Sequence, residues 1–139
     1  MELEEKLEII GLTPEEATGA AALDFLCYKE ELSPRYLGAE LINLEQLIGT
    51  YRSNECNSST TWISYLEQAR KGLFFNTYKN NKSDFARFLS NPTQEEADQH
   101  GLPEVVKTED GYLIYGGGKH RLTTGKILGL QHAYVNVYE

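Results

Sequence analysis

Basic side chains are scarce in this 139-residue chain: 13 Lys and Arg stand against 21 Asp and Glu, for a formal net charge of −8. Long DNA and anionic lipid surfaces are therefore disfavoured partners. Long apolar runs are missing too. None approaches the roughly 20 residues that span a bilayer, so no membrane segment is expected. The opening Met1-Glu2-Leu3-Glu4-Glu5-Lys6 lacks the basic start and apolar core of a signal peptide, which points to the cytoplasm. Cysteine is rare. Cys27 and Cys56 are far apart and form no C-x-x-C pair, so neither a zinc site nor a redox motif is indicated. The expectation is a buried Cys27 and a Cys56 in a loop. His100 and His132 are isolated and show no metal-ligand spacing.

What is present suits one ordinary core: 40% of residues are hydrophobic and 24% charged. The acidic excess is local. Residues 1–34 hold nine acids and two bases, whereas residues 35–139 hold 12 acids and 11 bases. Leu3, Leu7 and Ile10 recur at helical spacing up to Gly11. Thr13-Pro14-Glu15-Glu16 is a helix start, with a Thr cap, Pro at the first helical position and Glu three residues after the cap. This second helix is expected to carry Ala17, Ala20, Leu23 and Cys27 on one side and to close at Ser33-Pro34. The pair makes an acidic N-terminal helical hairpin over 1–34. It is either a solvated face or an appendage for a basic protein partner.

Residues 35–139 read as an α+β domain, a small mixed β-sheet with packed helices. Leu37, Leu41 and Ile42 suggest a short strand, residues 43–48 a helical turn, and residues 49–52 a turn. Residues 53–60 form a polar loop. Trp62, Tyr65, Leu66, Ala69 and Leu73 mark an amphipathic helix. Ser83-Asp84 caps a shorter helix with Phe85, Phe88 and Leu89 inward, and Pro92 ends it. Thr93-Gln94-Glu95-Glu96 is a second capping box. Residues 104–107 and 112–115 form a hairpin about Glu109-Asp110-Gly111. A helix over 119–128 stops at Gly129, and residues 133–138 alternate as a last strand.

Between hairpin and helix lie Gly116, Gly117 and Gly118, followed by Lys119, His120 and Arg121. Glycine lets a backbone approach a ligand closely. The first N–H groups of a helix point outward, and its dipole favours an anion. Lys119 and Arg121 add charge, and Arg suits a phosphate bidentately. Residues 111–138 hold three bases and no acid. Standard phosphate motifs do not fit. The Walker pattern would need glycine at His120, and Lys126 is followed by Ile127. The dinucleotide pattern starts at Gly116 and Gly118 but meets Arg121 where its last glycine belongs.

In order, the chain reads His100-Gly101-Leu102, Glu104-Val105-Val106-Lys107 and Asp110-Gly111-Tyr112-Leu113-Ile114. It continues Gly117-Gly118-Lys119-His120-Arg121-Leu122-Thr123-Thr124-Gly125-Lys126-Ile127-Leu128-Gly129-Leu130. This resembles the ParB N-terminal / sulfiredoxin superfamily. The family hallmark is a β-hairpin, then G-x-[HR]-R-[LYW]-x-A-[AG]-x-x-L-G, then a closing strand. Upstream, residues 40–48 stand where the family has its first strand and short helix. Gly49-Thr50-Tyr51-Arg52 stands at its first motif, N-P-x-Q-P-R.

The resemblance implies a nucleotide, ATP or CTP with Mg²⁺. Its phosphates would be cradled by Gly116, Gly117, Gly118, Lys119, His120 and Arg121, with Thr50 and Arg52 adding contacts. His120 is the candidate catalytic residue, since its ordinary pKa lies near neutrality. Sulfiredoxin has a cysteine where this chain has Lys119, so sulfinic-acid reduction is not expected. The partition proteins' E-N-x-Q-R motif and helix-turn-helix have no counterpart in these residues. The family's serine kinases carry a catalytic carboxylate near the first motif, where Glu45 and Glu55 are the acids present. Two alternatives stand beside nucleotide binding. One is an interaction module, such as a mobile element encodes, acting through the acidic helices. The other is DNA binding or nicking, for which residues 51–92 offer six bases against three acids, with Tyr51, Trp62 and Tyr65 for stacking.

Overall fold

A computed structural model describes residues 5, 8, 11–67 and 81–139 of the chain. Among these, six strands and five helices make an α+β fold. The strands are β1 (Leu26–Cys27), β2 (Tyr36–Asn43), β3 (Leu47–Thr50), β4 (Glu104–Lys107), β5 (Tyr112–Ile114) and β6 (His132–Tyr138). They form one mixed sheet in the order β1-β3-β5-β4-β6-β2. β1, β3 and β5 run parallel, β4 returns antiparallel to β5, β6 runs parallel to β4, and β2 closes the far edge antiparallel to β6.

The helices are α1 (Pro14–Ala21), α2 (Trp62–Glu67), α3 (Lys82–Ser90), α4 (Gln94–His100) and α5 (Lys119–Ile127). Both capping boxes form as the sequence indicates. The Thr13 hydroxyl accepts from Glu16 N–H while Glu16 accepts from Thr13 N–H, and Thr93 and Glu96 do the same. α3 starts about two residues earlier than expected, because the Asn81 side chain takes the Asp84 N–H. Its Phe85, Phe88 and Leu89 are buried as expected. They meet Trp62, Tyr65 and Leu66 of α2, Leu122 and Ile127 of α5, and Ala133, Val135 and Val137 of β6 in one core. The period of two in β6 puts those three small apolar side chains on the helix side.

The expected N-terminal hairpin is only partly within view. Leu3, Leu7 and Ile10 lie outside the described residues, as do Ala69 and Leu73 of the amphipathic helix. The second helix is shorter than its pattern. It ends at Ala21, and Leu26–Cys27 leaves the helical path to become the edge strand beside Gly49 and Thr50. Tertiary contacts explain the departure. Trp62 Nε1 donates to Asp24 O at 2.9 Å, and the Phe25 ring packs edge-on against Trp62 at 4.8 Å between centroids. A helix through Cys27 would forfeit both.

Two further expectations are corrected. Residues 47–50, read as helical turn and turn, are strand β3 after a short 3-10 turn at Leu44–Gln46. The two cysteines are not a buried thiol and a loop thiol. They are joined as a disulfide with Cα atoms 5.8 Å apart. The β1/β3 pairing sets Cys27 beside Thr50, and the chain returns through a 3-10 turn at Ser53–Glu55 to bring Cys56 within reach.

Candidate functional site

The carboxyl ends of the parallel strands β3 and β5 lie side by side, with Thr50 opposite Ile114. This is the end of a parallel sheet where ligands are commonly held. β3 leads into Tyr51, Arg52 and the Ser53–Glu55 turn, and β5 into the three glycines and α5. The sequence-predicted site residues from the two halves of the chain therefore do meet. Arg52 Nη1 donates to Gly116 O at 3.2 Å. Thr50 lies fully buried behind them. Its hydroxyl donates to Ile114 O at 3.3 Å and accepts from Arg52 N–H at 3.1 Å.

The glycines are shaped by their neighbours. Gly118 is the N-cap of α5 with φ +87°, and no side chain caps the helix. A Cβ there would fall 2.6 Å from Pro103 Cα. A Cβ on Gly116 would overlap Glu104 Oε1. That same oxygen accepts from Gly117 N–H at 3.0 Å, while Glu104 Oε2 accepts from the Tyr138 hydroxyl at 2.9 Å. The turn thus already grips an anionic oxygen, supplied by a residue 13 positions upstream.

The basic residues at and beyond the turn point three ways. Lys119 stays at the site. Its side chain is only 8% exposed, its Nζ is 3.4 Å from Glu55 Oε2, and it lies 4.0 Å from the centroid of the Tyr65 ring. Burial holds the ammonium below the usual lysine value, with the Glu55 carboxylate pulling the other way. Arg121 turns to the end of α4, where Nη1 and Nη2 donate to Gly101 O and His100 O at 2.9 and 3.2 Å. Lys126 donates to Leu44 O at 2.8 Å, at the far end of α5. His120 is half-buried in the first turn of α5.

Glu55 organises the centre. Its Oε1 lies 2.7 Å from Arg52 Nε and its Oε2 faces Lys119, so one carboxylate bridges two cations. The Tyr65 hydroxyl lies 3.1 Å from Glu55 Oε1 and 3.0 Å from Thr50 Oγ1, its single proton shared between two acceptors. Burial foremost pushes the Tyr65 phenol well above its ordinary value, so it remains a neutral donor.

The sequence named the glycines, Lys119, Thr50 and Arg52 as site residues; it offered Tyr65 only as a helix-face aromatic and a stacking residue, whereas the side chain is fully buried, and Glu104 only as part of a strand. It weighed Glu55 only as a carboxylate near the first motif. The patch that carries no acid in sequence receives two carboxylates in space. For Glu104, the available signal was its place two residues before Val106 at the head of a strand antiparallel to β5, which sets it beside the turn following β5. Among the described residues no group of three or more His, Cys, Asp or Glu is placed to hold a metal ion, and no helix is long and apolar enough to cross a membrane. No protein-family model matches this chain, and neither a curated protein nor a solved structure does.

Proposed function

We propose that the chain is a nucleotide-binding domain of the ParB/sulfiredoxin kind, taking the phosphates of ATP or CTP at the turn between β5 and α5. The observation that carries the reading is the carboxylate held on Gly117 N–H. A backbone N–H just before a helix N-cap that donates to one anionic oxygen is placed to donate to another. Arg52 at the same turn supplies a guanidinium, and its Nε/Glu55 pairing leaves it in a partly exposed position to meet a phosphate. Lys119 adds a second cation once Glu55 gives way. Mg²⁺ would arrive on the phosphate oxygens rather than on a protein cage, as is usual for this ion with triphosphates. His120, in the first turn of α5, is the proposed proton carrier of the site.

Titration calorimetry with ATP, CTP and inorganic triphosphate, each with Mg²⁺, tests the reading. Binding is expected, weakened about tenfold or more in Arg52→Ala, in line with the loss of a charge-assisted hydrogen bond of roughly 1.5–3 kcal/mol. Glu104→Ala, which vacates the Gly117 amide, should tighten it. No heat of binding at millimolar ligand in either the parent or Glu104→Ala overturns the proposal.

A further inference from the structure

The disulfide is attached to the one loop that controls the two cations. Cys56 directly follows Glu55, and its Sγ sits 3.9 Å from Arg52 O. Cys27 lies on β1, a strand of two residues at the sheet edge, next to Thr50. The bridge therefore fastens the Ser53–Glu55 turn to the sheet at the position where Glu55 reaches both Arg52 and Lys119. Both cysteines are only half-buried, so a small thiol can reach them.

From this placement we infer that the Cys27/Cys56 bridge is a redox latch on the site: oxidised, it holds Glu55 over Arg52 and Lys119, and reduced, it lets the turn open and hands both cations to an incoming polyphosphate. An anion that needs Lys119 must displace Glu55, and the backbone carrying Glu55 cannot withdraw while its neighbour is bonded to the sheet. The chemistry is a thiol–disulfide exchange. A dithiol reductant gives two electrons and two protons, the Cys27/Cys56 S–S bond becomes two thiols, and the dithiol closes to its own disulfide. What enters the opened site rests on the nucleotide reading above; the latch itself does not.

Two readouts keep these apart. The first is the rate at which an amine-directed reagent labels Lys119, followed by peptide mass spectrometry without any ligand, in protein oxidised or reduced with dithiothreitol. The second is the affinity for inorganic triphosphate and for ATP in the same two forms. Reduction is expected to speed Lys119 labelling and to tighten polyphosphate binding by at least about fivefold, the low end of couplings between sites. Linkage requires that saturating ligand favour reduction of the bridge by the same factor, which a dithiothreitol redox titration reads. The double variant Cys27→Ser/Cys56→Ser should match the reduced protein, and circular dichroism checks that it is folded. Faster labelling with no polyphosphate bound in either form supports the latch and sinks the nucleotide reading. Equal labelling and equal affinity in both redox forms, with the thiols verified by mass, overturn the latch.

Discussion

Replacing Glu55 by Gln removes one charge from the middle of a three-part ion cluster while keeping the shape of the side chain. Lys119, 8% exposed, loses the carboxylate 3.4 Å from its Nζ, and Arg52 loses a partner at 2.7 Å. Breaking a fully buried pair costs about 3–5 kcal/mol. Glu55 is 22% exposed and Arg52 36%, so water repays part of that. A loss of about 2 kcal/mol at pH 7 is expected, a midpoint drop of roughly 8 °C for a chain of this size. The loss should also depend on pH with a definite sign. Burial lowers Lys119 in the folded chain, and without Glu55 nothing offsets that shift. The unfolded state then holds more protons at this site, so folding stability gained there rises with pH from the folded value toward lysine's ordinary 10.5. The gap between variant and parent should be widest at pH 7 and shrink as pH approaches 10. Thermal and urea denaturation at pH 7, 8.5 and 10 measure it. Lys119→Met in the Glu55→Gln background should recover much of the loss, because the uncompensated ammonium is gone. A deficit below about 0.5 kcal/mol, or one that does not change with pH, would refute the claim that this cluster is a buried charge balance.

Gly118→Ala should destabilise the fold by about 2–3 kcal/mol, combining a left-handed φ with a Cβ pressed on Pro103, and calorimetric melting reads it. Arg121→Lys should lower stability more than it lowers anion affinity. One ammonium cannot reproduce the two-nitrogen grip on the His100 and Gly101 carbonyls; urea denaturation beside polyphosphate titration separates the two effects.

The parts of the fold written in local signals were legible from the sequence. Thr13 and Thr93 cap helices through residues three positions away, Gly111 closes a hairpin, and β6 alternates. The parts set by distant partners were not. β3 has four residues, one of them Gly49, and reads as a turn; it is glycine because the Leu26 backbone crosses against it, which no local pattern announces. Cys27 carries helical spacing with Ala20 and Leu23, yet Trp62, 38 residues beyond Asp24, pulls that stretch off the helix. The candidate site divides the same way. Its glycines and Lys119 are contiguous and were visible. Its charge was misjudged, because Glu104 enters from β4 and Glu55 from the Ser53–Glu55 turn, and Arg121 and Lys126 turn away to cap backbone carbonyls.

The position of β2 has a consequence for synthesis on the ribosome. Among the described residues its sheet neighbour is β6, and the Tyr36 hydroxyl bonds Asn136 across a separation of 100 residues. At about 5–20 residues per second, β2 emerges some 5–20 s before that neighbour exists. During that interval Tyr36, Leu37 and Leu41, all more than half exposed even in the finished fold, hang on an unpaired strand. The nascent chain therefore presents a sticky β-segment until β6 has been made and retires it.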